Sequence, residues 1–469
     1  MERTRKGYRL VLFPLPLQGH INPMIQLANI LHSKGFSITI LHTRYNSLDP
    51  SKHPHFTFRC IHEELTGPEL ETSKTKWMAF LSLLNVRCVD PFHVCMSELL
   101  REAEAEEEEP VACLISDIVL YFTQGVADGL KLPRLVLRTG GAVCTMALAA
   151  SLDLARKGYL PIQGNGDPDQ PVLEFPPLKV KDLPVATTND PETFYDIVSN
   201  MNAQAKASSG VIFNTFHELE HSSLDAIGKE FGIPVFPIGP FHKHKHPEST
   251  NSDSSSSLLT PDDSVIAWLD KHPSKSVVYV SFGSLVSITE SELVEVAWGL
   301  ANSDRPFVWV VRPGLVSQDN WAEALPDGLL EEVKRRGLLV KWAPQMEVLA
   351  HKAIGAFWTH NGWNSTLESI CEGVPMICTP KVADQKVNAR YVSDVWRVGL
   401  QMEDGLERGE IERVIERIIM GGKEGEEIRE RIVGLKEKAR LCLEPNDGSS
   451  FKSLKNLVDH ILSLHLATL

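Results

Sequence analysis

Short apolar runs alternate with segments of helical period along most of the chain. Leu10–Phe13 reads as a strand, and Asn22–Ser33 as a helix that opens near Asn22-Pro23 and stops at Gly35. Phe36–Leu41, Val111–Ile115, Arg134–Leu137 and Gly210–Asn214 read as further strands with helical stretches between them. Across 242–263 the pattern lapses: a His-Lys-His-Lys-His tract runs into serines and then Pro-Asp-Asp, the composition of a linker. The alternation then resumes. Ser276–Phe282, Phe307–Val311, Leu338–Lys341, Ala356–Thr359 and Pro375–Cys378 read as strands. Glu290–Asn302, Gln345–Ala350, Ser365–Glu372, Val387–Val395 and Glu410–Met420 fit helices, and Asp447–Leu469 reads as a closing amphipathic helix.

Strand and helix in alternation predict the α/β class, with parallel sheets covered on both faces. Two such halves joined by a linker imply a cleft, with ligands at the carboxyl ends of the strands. The expected division is a first domain over 1–241, joined by the closing helix 447–469, a linker over 242–263, and a second domain over 264–446. A length of 469 residues agrees, being too great for one compact core.

Charge and cysteine usage narrow the partners. A net charge of −14 leaves no basic field to gather phosphate backbones, so nucleic acid is not an expected partner. The eight cysteines form no C-x-x-C pair, and their spacing suits neither zinc nor a disulfide framework. Most lie in apolar runs, which points to a reducing compartment and a cytoplasmic protein. Arg3, Arg5, Lys6 and Arg9 precede the apolar run Leu10–Leu17 much as in a secretory signal. Pro14 and Pro16 break that run, and Gln18-Gly19-His20 ends it without a small-residue cleavage pattern, so a buried first strand is expected. No stretch approaches the ~20 apolar residues of a membrane helix. The run Glu102–Glu109 reads as a solvated helix end or loop, and a monomer is expected.

The stretch Trp342–Gln385 carries the most chemistry. A strand ending at Thr359 leads through His360-Asn361-Gly362-Trp363-Asn364-Ser365 into a helix. Gly362 permits a tight turn and close backbone approach. Asn364 and Ser365 fall where a helix amino terminus begins, an anion-binding device that suits a diphosphate. His360 adds a hydrogen bond or a positive charge. Glu368, one turn on, can bridge two vicinal hydroxyls of a ribose, and Trp342 offers a face on which a base can stack. Asp384 and Gln385 suit sugar hydroxyls. Taken singly these residues have plainer readings: Trp342 and Trp363 as core aromatics, Ser365 as a cap, Glu368 as an exposed helix residue. The sequon Asn364-Ser365-Thr366 is read as coincidental, since it lies inside this stretch.

A second constellation follows the first strands. Gln18-Gly19-His20 comes directly after the first strand, and Asp117 ends the strand Cys113–Asp117. An imidazole is well matched as a general base towards a hydroxyl at neutral pH, and a carboxylate on its other nitrogen fixes the tautomer.

The stretch Trp342–Gln385 resembles the signature box of plant UDP-dependent glycosyltransferases, the inverting glycosyltransferase family 1. The resemblance spans the chain, from Leu-Phe-Pro-Leu-Pro-Leu-Gln-Gly-His-Ile-Asn-Pro at the start to the closing helix. It implies two Rossmann-like domains facing across a cleft, the GT-B fold. It implies that Trp342 stacks on uracil, that the Ala343 backbone bonds the base edge, and that Gln345 lies beside ribose and base. Glu368 would hold the ribose; His360, Asn364, Ser365 and Ser284 of the Ser-Phe-Gly-Ser turn would hold the diphosphate. Trp363, Asp384 and Gln385 would contact the sugar. Gln at the last position of the box leans towards glucose. Lys381 and Val382 stand where the family often has an aromatic, which leaves sugar choice slightly open. The family's catalytic pair matches His20 and Asp117, and Thr139 matches a position that touches the donor sugar.

The implied reaction is one in-line displacement. His20 takes the acceptor proton, UDP leaves, and an α-linked donor gives a β-glucoside. No metal or cofactor is expected; UDP-glucose is a co-substrate. The one D-x-D, Asp167–Asp169, reads as a turn. A hydrolase or nucleotide-cofactor oxidoreductase is disfavoured by the lack of G-x-S-x-G, G-x-G-x-x-G and a P-loop. A non-catalytic sugar-nucleotide binder on the same fold is the remaining alternative, opposed by the intact His20 and Asp117. The acceptor is expected among residues 44–100 and 139–205, where Trp77, Phe80, Leu84, Phe92, Met146 and Phe194 suit an apolar body or equally a core. Terpenoid, flavonoid, other phenolic and hormone acceptors, including carboxyl acceptors, stay open.

Overall fold

Strand β1 (Arg9–Phe13) shows how the first sheet is built. Its side chains alternate between two apolar layers: Val11 and Phe13 join one, Leu10 and Leu12 the other, and all four are fully buried. Burial on both faces is what a parallel sheet with helices on either side demands. The computed structural model describes residues 7–63, 65–67, 69, 77–105, 109–160, 167–184, 190–244, 259–316, 325–403 and 405–468. Parts of the expected linker (245–258) and of the glutamate run (106–108) lie outside the described residues.

The chain divides into two units: 1–163 with 188–258 and 441–469, and 164–187 with 259–440. The first holds a seven-stranded parallel sheet in the order β3-β2-β1-β4-β5-β6-β7. Its other strands are β2 (Ser37–Thr43), β3 (Thr57–Ile61), β4 (Val111–Asp117), β5 (Arg134–Arg138), β6 (Val211–Phe213) and β7 (Val235–Pro237). The helix Ser449–Thr468 closes one face, burying Leu454, Leu457, Val458 and Ile461 with Leu10 and Leu12. The second unit holds a six-stranded parallel sheet in the order β10-β9-β8-β11-β12-β13. These strands are β8 (Val277–Ser281), β9 (Phe307–Val310), β10 (Gly337–Val340), β11 (Ile354–Thr359), β12 (Met376–Cys378) and β13 (Gly399–Gln401). Val278 and Val280 face one apolar layer, Val277 and Tyr279 the other.

Both sheets reverse winding direction once, between β1 and β4 in the first and between β8 and β11 in the second. In open parallel sheets the crevice beyond that switch point is where ligands bind.

Four expectations need correction. The first helix runs Gln18–Ser33, not from Asn22, with Pro23 inside it, so His20 stands in its first turn. The donor-box helix starts at Trp363 rather than Ser365. The helix expected over Val387–Val395 is α-helical only over Gln385–Arg390 and widens to π geometry at Tyr391–Val395. The segment 164–187, expected in the first domain, belongs to the second unit. The cause is ionic. Asp182 and Arg390, both nearly fully buried, meet at 2.9 Å, and Lys181 lies 2.6 Å from Glu403. Asp167–Asp169 in this segment does form a turn, closed by Asp169 N–H donating to Asp167 Oδ1 (2.9 Å).

Candidate active site

The switch point of the first sheet carries His20. Leu17 precedes the helix with extended backbone, so the chain turns immediately after the loop 14–17 and sets His20 in the first helical turn. Its Nδ1 lies 2.6 Å from Asp117 Oδ2 and 3.0 Å from Thr139 Oγ1. Asp117 is the last residue of β4 and fully buried, and its Oδ1 accepts Val119 N–H at 3.0 Å. With the carboxylate ionised, Nδ1–H is the donor, and the proton-free nitrogen is Nε2. The His20 side chain keeps 20% exposure, so that nitrogen can meet a substrate. Thr139 follows β5 at the Gly140-Gly141 turn. The helix Ala142–Ala149 then begins, its first N–H groups held by buried Glu220, which accepts from Ala142 N (3.0 Å) and Val143 N (3.1 Å).

The switch point of the second sheet carries the box residues. Phe282–Ser284 follow β8, and His360–Trp363 follow β11, whose Thr359 pairs with Ser281 at the end of β8. His360 sits between two glycines. A Cβ on Gly283, itself at φ +71°, would fall within 2.5 Å of the imidazole, and one on Gly362 within 2.6 Å. Only glycine leaves room for the ring on either side. Desolvation, with the nearby Arg312 guanidinium, pushes the pKa of His360 down to about 4. At neutral pH it is therefore uncharged and offers a hydrogen bond, which removes the positive-charge reading for the unliganded protein.

The helix Trp363–Glu372 opens at Gly362 without a side-chain cap. One turn along, Gln345 Nε2 donates to both Ser365 Oγ (2.9 Å) and Glu368 Oε2 (2.7 Å), and Tyr279 Oη donates to Gln345 Oε1 (3.3 Å). Two residues expected beside the nucleoside, Gln345 and Glu368, thus form one hydrogen-bonded group with Ser365, expected at the diphosphate. Trp342 is half-buried beside them, its carbonyl accepting Asp262 N–H, and Ala343 is buried. The Trp363 side chain is buried, 6.4 Å from the Trp396 ring, so its plainer reading as a core aromatic describes the indole.

At the residues expected to meet the sugar, Gln385 Oε1 accepts from Lys381 N (2.9 Å) and Val382 N (3.1 Å). The carbonyl end is committed to the turn, and the amide Nε2 is the end that can serve a ligand. Asp384 is held by Asn388 Nδ2 at 3.0 Å, and the same Nδ2 reaches Asn361 O at 2.9 Å. Sequence reasoning missed Asn388, which joins the turn after β11 to the Asp384 turn. It also missed Arg312, whose Nε donates to Gly283 O (2.8 Å) and whose Nη2 donates to Val286 O (2.5 Å). Of the apolar acceptor candidates, Phe80, Leu84, Phe92 and Phe194 are core residues, while Trp77 and Met146 are only partly buried.

Among the described residues no helix is long and apolar enough to cross a membrane, and no group of three His, Cys, Asp or Glu side chains is placed to hold a metal ion.

The comparisons with known proteins agree with one another. The family described as "UDP-glucoronosyl and UDP-glucosyl transferase" matches residues 263–430. The chain is 48% identical over 463 residues to UDP-glycosyltransferase 76B1 of Arabidopsis thaliana, covering 99% of this chain and 100% of that one. It is 47% identical over 470 residues to UDP-glycosyltransferase 76G1 of Stevia rebaudiana, covering 98% of each. Medicago truncatula UGT71G1, solved with UDP-glucose, superposes with a TM-score of 0.79 at 27% identity, covering 98% of this chain and 100% of that one. Phytolacca americana UGT2, solved with UDP-2-fluoro-glucose and pterostilbene, gives 0.79 at 27% identity, covering 97% and 100%. With two switch-point clusters on the two sheets of a GT-B fold and such relatives matched from end to end, the chain belongs to the UDP-glycosyltransferase family.

Proposed function

We propose that this enzyme transfers glucose from UDP-glucose, with inversion, to a hydroxyl or carboxyl of a small, largely apolar plant metabolite such as a terpenoid, flavonoid or other phenolic. The carrying observation is the 2.6 Å contact between His20 Nδ1 and buried Asp117. It orients a base whose Nε2 takes the acceptor proton while the acceptor oxygen attacks C1 of the sugar. The C1–O bond to UDP breaks on the opposite face, so an α-linked donor yields a β-glucoside. As the imidazole becomes imidazolium, Asp117 stabilises it.

The leaving diphosphate is received by the amino-terminal N–H groups of the helix Trp363–Glu372, with Asn364, Ser365, Ser284 and neutral His360 as hydrogen-bonding neighbours. Trp342, Ala343, Gln345 and Glu368 serve uridine, and Asp384 with Gln385 serves the glucose hydroxyls. Because these groups meet the diphosphate charge, EDTA is expected to leave turnover unchanged. All eight cysteines are free thiols, which supports a cytoplasmic enzyme, and we expect a monomer.

The test is UDP-glucose with a panel of plant aglycones, read by UDP release, product mass and the anomeric coupling of the glucoside. The expected result is a β-glucoside whose formation His20→Ala abolishes while UDP still binds. Near-full turnover by that variant would overturn the assignment of the base. UDP binding without UDP release from any acceptor would favour a sugar-nucleotide-binding protein on this fold.

A further inference from the structure

The turn that follows β12 carries a strained residue. Ala383 stands at φ +55°, in the left-handed region that residues with a Cβ seldom enter. Such a conformation persists where its surroundings over-determine it. One fastening lies inside the turn: Gln385 Oε1 accepts from Lys381 N and Val382 N, and Gln385 N donates back to Val382 O at 3.2 Å. A second comes from a distant part of the chain. Lys381 Nζ donates to Glu292 Oε1 at 2.5 Å, and both side chains are 28% exposed.

Glu292 is itself held in place. It opens the helix Glu290–Asn302 as half of a capping box: Thr289 N–H donates to Glu292 Oε2 (2.8 Å), and Glu292 N–H donates to Thr289 Oγ1 (3.1 Å). One carboxylate oxygen thus serves the cap and the other serves the lysine. Burial raises the Glu292 pKa, but the Lys381 and Thr289 contacts bring it below the ordinary 4.5, so this carboxylate is ionised at neutral pH. The pair joins the segments that follow β8 and β12, the two strands flanking β11. Its lysine falls at the departure from the family's pattern, where an aromatic is often found.

We propose that Lys381 and Glu292 are positioning residues for the donor sugar: their ion pair holds the turn 381–384 in the shape that presents Asp384 and the Gln385 amide. Neither charge touches the ligand. The pair acts through the turn, by keeping Ala383 left-handed and the Lys381 and Val382 N–H groups aimed at Gln385 Oε1. This rests on the reading that Asp384 and Gln385 serve the glucose hydroxyls. A partly exposed ion pair adds little to the stability of a whole domain, so its effect is local. It falls on the sugar and not on uridine, which is assigned to Trp342, Ala343, Gln345 and Glu368.

The test reads the sugar's share of donor binding as the ratio of the UDP Kd to the UDP-glucose Kd, both titrated calorimetrically on the full chain without acceptor. Lys381→Met and Glu292→Gln are each expected to lower that ratio about three- to fivefold, the scale of a partly exposed ion pair, while the UDP Kd moves less than about twofold. Together they lower it no further than either alone, since both break one contact. Lys381→Arg keeps the ratio. Ala383→Gly, which admits the left-handed turn without a Cβ, returns part of it to Lys381→Met. An unchanged ratio in both single variants would mark an incidental surface ion pair and overturn the proposal. Equal weakening of UDP and UDP-glucose overturns it too, by making the pair a support of the fold, as do losses that simply add. Gln385→Ala controls the underlying reading: if it leaves the ratio unchanged, the turn does not meet the sugar and the proposal falls with that reading, whatever the Lys381 variants do.

Discussion

In the proposed mechanism His20 works through the nitrogen it does not share with Asp117. The carboxylate fixes Nδ1 as the protonated position, so replacing it with an amide reverses the polarity of that bond: the amide NH2 would donate, and Nε2 would have to carry the proton. Asp117→Asn is therefore expected to lower kcat by about three to four orders of magnitude, the scale seen when a tautomer-fixing carboxylate is neutralised. UDP affinity should change by less than about twofold. Single-turnover kinetics and calorimetric UDP titration separate the two effects, and a variant that loses both equally would show Asp117 to be structural. His360 makes a different residue-scale prediction. Its folded pKa of about 4 lies below the ordinary value of 6.5, so between those values the unfolded chain binds the extra proton and the folded chain does not. Stability is then unaffected above about pH 7.5 and falls as pH drops from 6.5 towards 4, by at most about 3 kcal/mol from this group. His360→Gln should flatten that slope in denaturant titrations at about pH 7 and about pH 4.5.

At the scale of elements, the proposed donor half-site consists of two turns that a parallel sheet places side by side. The turn after β8 presents Gly283 and Ser284, and the turn after β11 presents His360 and Gly362. Gly362→Ala puts a methyl within 2.6 Å of the His360 ring although its own backbone φ is −56°, so the strain falls on the imidazole rather than on the turn. UDP affinity is expected to drop about tenfold or more while the melting temperature shifts by only a few degrees. An unchanged UDP Kd would show that His360 does not face the diphosphate. This level was largely legible in the sequence. Runs such as Val277–Ser281 and Ile354–Thr359, buried on both faces, leave few alternatives to a parallel strand, and a glycine between strand and helix marks the turn. The start of the first helix was not legible, because Leu17 has no side-chain cap to announce it and Pro23 imitates a first-turn proline. Strands β7 and β13 are only three residues long, and β3 (Thr57–Ile61) has exposed or half-buried polar residues in place of an apolar run, so none of the three was read from the sequence. Asn388 and Arg312 were invisible for a related reason. The contacts that join them to other turns are to backbone carbonyls, Asn361 O and Gly283 O, and such contacts leave no motif around the residue itself.

At the scale of the whole molecule, chain order and unit membership part company at residues 164–187. Nothing local announces this, since Asp182 and Arg390 are 208 positions apart and the pairing exists only once both elements are folded. Arg390 also reaches Glu403 at 2.8 Å, and Lys181 closes on the same carboxylate, whose pKa is pulled to about 2 against the cost of burial. Because that pKa lies below the ordinary value of 4.5, the stabilisation is present above about pH 4.5 and is lost as pH falls towards 2. The buried pair sets the larger effect. Asp182→Ala leaves a guanidinium that is 3% exposed with only the more exposed Glu403 and Asp394 as partners, which should cost the second unit about 2–3 kcal/mol. Removing both charges relieves that penalty, so Asp182→Ala with Arg390→Leu should be less destabilised than the sum of the single variants by at least about 1 kcal/mol. Hydrogen exchange locates the effect: amides at 178–183, including those bonded to Gln170 O and Lys179 O, should lose protection in Asp182→Ala while β8 and β11 keep theirs. Strictly additive denaturation energies, with protection at 178–183 intact, would mean that apolar contacts of Leu178, Val180 and Leu183 hold this segment and that the ion pair is incidental to it.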